Sequence, residues 1–358
     1  MAELPHQVQK VAPTDLPVFI APTAQITRAP GARLQRPRLV VQSAADVEED
    51  RRRLLAGLLE IPARIEPKHF YDAQGSALYA AITRLDEYYP TRLEAQVLAA
   101  HRDEIAAALP RGGQWIDLGC GDGDKVLHWL RATRARRYLA VDAAQDWLRA
   151  TIEQFSARHA DIEAIGVVID LGGAWSLQHL LHECPGCPPV FFYPGSSIGN
   201  FEPEAALRLL RNIRAHCGDD GCLLIGVDLT RDPALLHAAY DDALGVTAAF
   251  NRNVLRVVNR ALDADFEPRR FAHLARFNEA ESRVEMHLLS RVRQTVSLCT
   301  PARTERNFAL GETIITEYSY KHSARGFADM LDTAGFTRQQ MWTNAAAAPS
   351  FGVFLAQP

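Results

Sequence analysis

The sequence predicts an α/β fold in which a mostly parallel sheet is covered by helices on both faces. Five short apolar runs alternate with helix-like segments along the chain: Gln114–Leu118, Arg137–Asp142, Ala164–Asp170, Val190–Tyr193 and Cys222–Leu229. Strands that are apolar throughout are typical of parallel sheets buried on both faces. Residues 125–133, 145–155 and 202–217, which lie between these runs, are interpreted as helices because their apolar residues recur at helical spacing.

The regular alternation stops after the fifth run. About 90 residues, 230–321, precede the next helix-like segment at 326–334, and two strand-like runs near 336–342 and 351–356 end the chain. Connections within α/β units are usually about 2–6 residues long, so this insertion is predicted to form an α+β lid. It follows the carboxyl end of a strand, where open α/β sheets bind ligands, and we therefore expect it to recognise the substrate.

The segment before the first apolar run contains three parts of different composition. Residues 1–40 are rich in Pro and Ala without a sustained period, and we expect an N-terminal arm that is mobile or loosely packed. Residues 45–59 are helix-like, and residues 69–92 are dense in aromatics and glycine. The predicted domains are a substrate-binding subdomain of residues 41–92 and 230–321, and a cofactor-binding domain of residues 93–229 and 322–358.

Bulk composition excludes several classes of protein. The 358 residues are 47% hydrophobic and 23% charged, with a net charge of −4, which gives no electrostatic footprint for nucleic acid. No apolar run approaches the roughly 18 residues that suggest a membrane span, and the first residues do not resemble a secretory signal. We therefore expect a cytoplasmic protein with a small-molecule substrate, no membrane or nucleic-acid partner, and a monomeric state by default.

The cysteines and histidines predict no metal site. Of the six cysteines, only Cys184 and Cys187 are closely spaced, in a Pro/Gly loop before a strand. A redox pair is expected where a strand meets a helix, and a zinc site needs a second pair of ligands. We therefore expect reduced loop thiols. The histidines, among them His69, His287 and His322, show no metal-ligand spacing.

A glycine-rich loop follows the first predicted strand, in the segment from Asp117 to Gly123. Glycines there permit positive φ and close approach of backbone to a ligand. A dinucleotide fingerprint needs Gly-x-Gly-x-x-Gly, and here the third glycine comes one residue early. Asp117 and Asp122 also disfavour a pyrophosphate but suit S-adenosylmethionine, whose sulfonium and ammonium are positive. An NAD-type oxidoreductase is the alternative, and a cofactor-binding test would decide.

Two further acids fit the same cofactor. Asp142 ends the second predicted strand, where a carboxylate can accept hydrogen bonds from both ribose hydroxyls. Asp170 ends the third, within reach of an adenine amino group. The alternative interpretation is that these acids only cap helices.

Longer motifs identify a family. They are Phe70–Ser76 with Glu87–Arg92, Gly195–Phe201, Ala239–Asp242, Gly245–Asn251 and Thr316–Lys321. From about residue 45 to the end, the chain resembles the histidine Nα-methyltransferase family of ergothioneine biosynthesis. The resemblance implies a Rossmann-like class I methyltransferase sheet and S-adenosylmethionine as co-substrate. It also implies three successive methylations of the α-amine of L-histidine, which give hercynine. The glycine loop departs from many relatives, but only at positions that contact ligands through backbone.

The resemblance also implies roles for individual residues. Tyr71 lies beside the α-amine, and Tyr88 lines the same pocket; both are the implied catalytic residues. Asn200 holds the carboxylate with help from Tyr240, and Glu317 and Ser319 hold the imidazole. Met286 and Gly195 complete the substrate pocket. The implied cofactor-binding residues are Gly119, Gly121, Lys125, Asp142 and Asp170.

These residue types suit the chemistry. The nucleophile must be a neutral amine, and tyrosine hydroxyls accept its hydrogen bond without holding the ammonium form as tightly as a carboxylate does. Glu317 accepts the imidazole N–H, and its buried carboxylate would be left unpaired by phenylalanine or leucine.

Several alternatives stay open from the sequence. In one alternative Glu317 forms an ion pair with Lys321, four residues on, and does not bind the substrate. In another, Met286 packs in the hydrophobic core and does not line the pocket. The acceptor is a different amino acid or a small aromatic amine in one alternative, and in another the chain is a binding module without turnover.

Overall fold

The computed structural model describes residues 37–42, 47–299, 303–344 and 350–358. Within those ranges the strands are, in chain order, β1 (Arg38–Val41), β2 (Ala63–Arg64), β3 (Gln114–Leu118), β4 (Arg137–Asp142), β5 (Glu163–Val168), β6 (Pro189–Tyr193), β7 (Cys222–Asp228), β8 (Phe271–Asn278), β9 (Arg283–Ser290), β10 (Gln294–Leu298), β11 (Thr304–Phe308), β12 (Thr313–Tyr320), β13 (Arg338–Thr343) and β14 (Phe351–Gln357). The helices are α1 (Val47–Leu59), α2 (Ala73–Ile82), α3 (Tyr89–Ala100), α4 (Arg102–Ala108), α5 (Asp124–Ala132), α6 (Gln145–Arg158), α7 (Gln178–His182), α8 (Pro203–Cys217), α9 (Pro233–Tyr240), α10 (Val246–Leu262) and α11 (Ala324–Ala334).

The largest sheet has eight strands in the order β1-β5-β4-β3-β6-β7-β14-β13. In this sheet the six neighbouring strands β1, β5, β4, β3, β6 and β7 pair in parallel, whereas β14 is antiparallel to both β7 and β13. The five runs predicted as parallel strands are β3 to β7, and the two predicted near the end of the chain are β13 and β14. The predicted α/β class is confirmed.

Both faces of this sheet are buried, as continuous apolar strands require. Neighbouring residues of β3 enter different hydrophobic clusters, because successive side chains of a strand point to opposite faces. Ile116 packs with residues of α8 and α11, while Trp115 packs with residues of α5 and α6. In the described part of the chain, none of the helices has the length and apolarity needed to span a membrane.

The insertion after β7 forms α9, α10 and most of a second, four-stranded sheet in the order β2-β12-β9-β8, together with the hairpin β10–β11. A third hydrophobic cluster joins this insertion to residues from the segment before β3; in it the ring of Phe70 stacks on that of Phe250, with centroids 4.5 Å apart. Residues 35–358 nevertheless form one compact unit. The division into a cofactor domain and a substrate subdomain therefore stays a prediction.

The boundary of the predicted N-terminal arm is wrong at residues 38–40. These residues lie in β1, which pairs in parallel with β5 from Arg38 opposite Ile165 onward. The apolar pair Leu39 and Val40 gives the physical reason, because their side chains pack on opposite faces of the sheet. The rest of the predicted arm, residues 1–36, lies outside the described residues.

The expectation of reduced thiols at Cys184 and Cys187 is also wrong, since the structure joins them in a disulfide. Gly186 adopts a φ of +74° in the intervening turn, a conformation open to glycine. The turn brings the two Cα atoms to 5.6 Å, within the range of disulfides.

A substitution at Gly75 tests how closely α2 packs against the turn that carries Phe70 and Tyr71. A Cβ at Gly75 would lie 1.7 Å from the backbone oxygen of Phe70, so this backbone must shift. We expect Gly75→Ala to lower the free energy of unfolding by about 1–3 kcal/mol, measured by chemical denaturation. In the control Gly173→Ala, the new Cβ would meet Asp170 O at an ordinary 3.4 Å, and stability should be unchanged. Equal stability of the two variants would contradict this packing.

Candidate active site

One cavity collects every residue that the sequence assigned to catalysis or substrate binding. It lies at the carboxyl ends of β6 and β7, beneath the insertion. The eight predicted residues that line it are Tyr71, Tyr88, Gly195, Asn200, Tyr240, Met286, Glu317 and Ser319. They come from six separate segments of the chain, which shows that the fold, and not sequence proximity, brings them together.

Strand β12 supplies one wall of the cavity. Residues at i, i+2 and i+4 of an extended chain share a face, and this rule places Glu317, Ser319 and Lys321 on the cavity side. The β9–β12 register shifts between Ile315 and Glu317, so that Thr316 is an extra residue and Glu317 lies opposite Met286. Such a bulge re-aims the side chains that follow it.

The carboxylate of Glu317 is buried, with 8% of the residue exposed, and has no hydrogen-bond partner among the described residues. Burial raises its pKa to about 7, against the opposing effect of the Lys321 ammonium. Lys321 bonds to Asp228 at 2.8 Å and not to Glu317. The ion pair between Glu317 and Lys321, which the sequence left open, is therefore not formed in this structure. The Glu317 carboxylate faces the cavity, where it can accept a hydrogen bond from a ligand.

The floor of the cavity is a buried polar network. The Tyr240 hydroxyl donates to Ser319 Oγ at 2.8 Å, and Lys321 Nζ donates to the Tyr240 hydroxyl at 2.9 Å and to Ser319 Oγ at 3.0 Å. Asp228 accepts from Lys321 and from the Tyr89 hydroxyl, both at 2.8 Å. Every member is less than 9% exposed, so the geometry of this floor is fixed.

Aromatic rings form the opposite wall. Tyr71 packs edge-on against Tyr79 and Phe250, and Tyr79 packs edge-on against Tyr88. Burial raises the pKa of Tyr71 and of Tyr88 well above the usual range. Both therefore stay neutral hydroxyls at physiological pH, and each can accept a hydrogen bond as well as donate one.

The predicted cofactor residues lie apart from the cavity lining, at the ends of the adjacent strands β3, β4 and β5. Gly119 and Gly121 have positive φ, and nothing lies within 4 Å of a Cβ built at either position. The loop therefore leaves an open cradle that side chains would fill. Asp142 accepts from Ala144 N at 2.9 Å, and Asp170 accepts from Gly172 N at 2.9 Å and from Lys68 at 3.4 Å. The acidic rim of this cradle fits a cationic ligand better than a phosphate.

Glu94, on α3, joins the two regions. Its buried carboxylate accepts from Lys125 Nζ and from Gly195 N, each at 2.6 Å. The contact with Glu94 raises the pKa of Lys125 although burial opposes it. Lys125 is the second residue of α5, the helix after the glycine loop, and Gly195 begins the loop that ends at Asn200. One carboxylate thus ties the cofactor side to the substrate side.

The sequence interpretation missed Glu94, Asp228, Lys321 and Tyr79. Each lies inside or beside a motif that was recognised, but only the fold shows that it faces the cavity or its neighbours. A signal existed for Lys321, which shares the two-residue period of Glu317 and Ser319.

A second cluster of side chains lies outside the cavity. Ligand atoms of Asp50, Glu66 and His69 lie within 4.8 Å of one another, although sequence spacing gave no hint of this. The ammonium of Lys68 bonds to Asp50 at 2.5 Å and to Glu66 at 2.8 Å. A cation from the protein itself thus neutralises these carboxylates.

The raised pKa of Glu317 predicts a pH-dependent stability. A folded-state pKa of about 7 against an ordinary 4.5 stabilises the protein below pH 4.5, and this contribution is lost as the pH rises through 7. Relative to Glu317→Gln, the ligand-free wild type should lose about 2.5 kcal/mol of unfolding free energy between pH 5 and 8. Urea denaturation at several pH values measures this.

Glu183→Gln is the matched control, because the Arg38 and Arg137 guanidinium groups lower the pKa of Glu183 to about 2. Its stability difference from the wild type should be flat over the same range. A flat difference for Glu317→Gln as well would show that the Glu317 carboxyl is not desolvated.

Comparison with known proteins shows which family the chain belongs to. A family described as "Histidine-specific methyltransferase, SAM-dependent" matches residues 50–358. The histidine N-alpha-methyltransferase of Mycobacterium tuberculosis is 39% identical over 310 residues, which cover 86% of this chain and 94% of that protein. Its counterpart from Mycolicibacterium smegmatis is 40% identical, covering 89% and 97%. Ergothioneine biosynthesis protein 1 of Neurospora crassa is 29% identical, covering 79% of this chain but 32% of its own length. This chain belongs to the histidine-specific, S-adenosylmethionine-dependent methyltransferase family.

Proposed function

We propose that the protein transfers methyl groups from S-adenosylmethionine to the α-amine of L-histidine, three times in succession, to give hercynine in ergothioneine biosynthesis. The observation that carries the proposal is the buried, unpartnered carboxylate of Glu317 on the same strand face as the Ser319 hydroxyl. An imidazole offers one N–H donor and one acceptor nitrogen, and these two groups match it. The names of the relatives that cover most of the chain support the same substrate.

The remaining cavity residues account for the amino-acid part of the substrate. Asn200 ends the Gly195–Asn200 loop, and its side chain has no hydrogen-bond partner among the described residues. Its amide and the Tyr240 hydroxyl are suited to hold the α-carboxylate without forming an ion pair that competes with the reaction. Gly195 and Met286 close the walls around this position.

Methyl transfer also needs a neutral nitrogen held in line with the bond that breaks. S-adenosylmethionine supplies an electrophilic methyl group when bound. The chain's own contribution is to orient and desolvate the amine, and positioning of this kind contributes roughly 7–11 kcal/mol. Burial against the aromatic wall disfavours the charged ammonium form, so the extra proton is lost to solvent. Tyr71 and Tyr88 then accept hydrogen bonds from the neutral amine as neutral hydroxyls. They thus orient the nitrogen without trapping it as an ammonium.

On the cofactor side, Gly119 and Gly121 would face the ligand through backbone. Asp142 would accept from ribose hydroxyls, and Asp170 from the adenine amine. Lys125 lies beside the Gly195–Asn200 loop, the substrate loop, with Nζ 3.8 Å from a Cβ built at Gly195, and would face the ligand's carboxylate.

Three expectations from the sequence remain part of this proposal and have independent tests. They are a monomeric state, a cytoplasmic location and activity without a metal ion. Light scattering, cell fractionation and assay in the presence of a chelator address them in turn.

Mass spectrometry of L-histidine incubated with the protein and S-adenosylmethionine tests the function. We expect a gain of three methyl groups on the α-nitrogen. Glu317→Gln should lower kcat/KM for histidine about 10- to 100-fold, because one hydrogen bond to a charged group is lost. The control Glu204→Gln, at an exposed site on α8, should behave as the wild type. Unmodified histidine together with methylation of another amino acid, unaffected by Glu317→Gln, would favour the alternative acceptor.

Tyr71→Phe separates catalysis from binding. We expect kcat to fall about 100-fold with little change in the histidine Kd, since only the hydroxyl that orients the amine is removed. Single-turnover rates and calorimetry measure the two quantities. Tyr193→Phe, which removes the hydroxyl of a buried tyrosine outside the cavity lining, is the control and should retain kcat. An unchanged kcat in Tyr71→Phe would remove Tyr71 from the catalytic role.

A further inference from the structure

Lys321 is a buried cation whose hydrogen bonds are all used. The charged side chains that line the cavity are Asp228, Glu317 and Lys321, and only 3% of Lys321 is exposed. Its ammonium has three donors and no acceptor. The partners are Asp228 at 2.8 Å, the Tyr240 hydroxyl at 2.9 Å and Ser319 Oγ at 3.0 Å. No donor of Lys321 is left for a ligand, so its influence on a ligand must pass through these neighbours.

These contacts fix the direction of two hydroxyl groups. A hydroxyl has one proton and two acceptor positions. Ser319 Oγ accepts from Lys321 and from Tyr240, so both of its acceptor positions are filled and its proton must point out of the network. The Tyr240 oxygen accepts from Lys321, which leaves its proton to be donated. In this structure Ser319 accepts that hydrogen bond, and a bound ligand can accept it instead. In either case the network presents a hydroxyl donor to the cavity.

Asp228 holds Lys321 from the other side. It is fully buried, and it accepts from Thr230 N at 2.9 Å and from the Tyr89 hydroxyl at 2.8 Å, besides Lys321. The ammonium contacts both cavity hydroxyls directly, whereas the structure gives the Asp228 carboxylate no bond to either. The Tyr240 and Ser319 hydroxyls are thus in contact with the positive member of the Lys321–Asp228 pair.

We propose that Lys321 is a positioning residue that keeps the Tyr240 hydroxyl a donor and thereby makes the pocket select a free α-carboxylate over an α-carboxamide. The inference rests on the proposed orientation of histidine. A carboxylate only accepts hydrogen bonds, and its burial requires such compensation. A carboxamide lacks the charge, and its NH2 group meets a Tyr240 oxygen that already accepts a hydrogen bond from Lys321.

The test compares the binding of L-histidine and L-histidinamide by calorimetry in the presence of S-adenosylhomocysteine. The double variant Lys321→Met with Asp228→Asn removes both charges together, so that neither residue is left as an unpaired buried ion by loss of the other. The control Arg137→Met removes another buried cation, 1% exposed, whose Glu163 and Glu183 partners lie at the opposite end of the sheet.

We expect the wild type to prefer histidine about 100-fold, the double variant less than about 10-fold, and Arg137→Met to keep the wild-type preference whatever its thermal stability. A double variant that still binds S-adenosylhomocysteine and keeps the full preference would overturn the inference. If that variant does not fold, Tyr240→Phe serves instead, and an undiminished preference there has the same meaning. Equal wild-type binding of both ligands overturns this inference alone, whereas wild-type binding of neither overturns the proposed function too.

Discussion

The buried carboxylate of Glu94 is the contact on which the arrangement of the site depends. An ionised carboxylate that is 2% exposed is tolerated only when it is paired and hydrogen-bonded, and its two partners, Lys125 and Gly195, come from different segments. The helix that carries Glu94 begins directly after Tyr88. Space for the carboxylate exists because residue 226 is glycine, where a Cβ would lie 2.4 Å from Glu94 Oε1. The contacts of Glu94 therefore fix the positions of the aromatic wall, the glycine loop and the Gly195–Asn200 loop relative to one another.

The second constraint comes from β12, and it operates on the other side of the cavity. Its bulge at Thr316 and its pairing with β9 set the direction of Glu317, while the buried pair of Lys321 and Asp228 sets the direction of the hydroxyls beside it. Glu317 without a partner costs stability in the empty protein, since burial disfavours its charged form. That cost is understandable where a ligand is to supply the missing donor, because strain and unsatisfied polar groups concentrate at functional sites.

The sequence predicted the fold through its apolar strands and predicted the site through its motifs, because both signals are local. Strands β3 to β7 are visible as short apolar runs bounded by polar segments. The edge strand β1 was missed because four residues after a Pro-rich stretch give too little periodicity to detect. Glu94 and Asp228 were missed for a different reason: a charged residue on a helix or at a strand end is usually solvated, and only the three-dimensional fold shows that these two are buried. The Cys184–Cys187 pair depended on the geometry of its turn, which spacing alone does not specify.

Among the described residues, no unpaired carboxylate lies beside the amine in the proposed orientation, and this affects how many methyl groups can be transferred in succession. Nitrogen valence ends the sequence at three methyl groups, when neither an N–H nor a lone pair remains, so the pocket need only tolerate each intermediate. Carboxylates near the nitrogen would bind the protonated forms and slow the loss of the next proton. In the proposed orientation the nearest groups are the hydroxyls and ring faces of Tyr71 and Tyr88, and Asp228 is neutralised by Lys321. Aromatic faces attract methylated cations, so under the proposed function the same wall would accept the substrate, its partly methylated forms and the product.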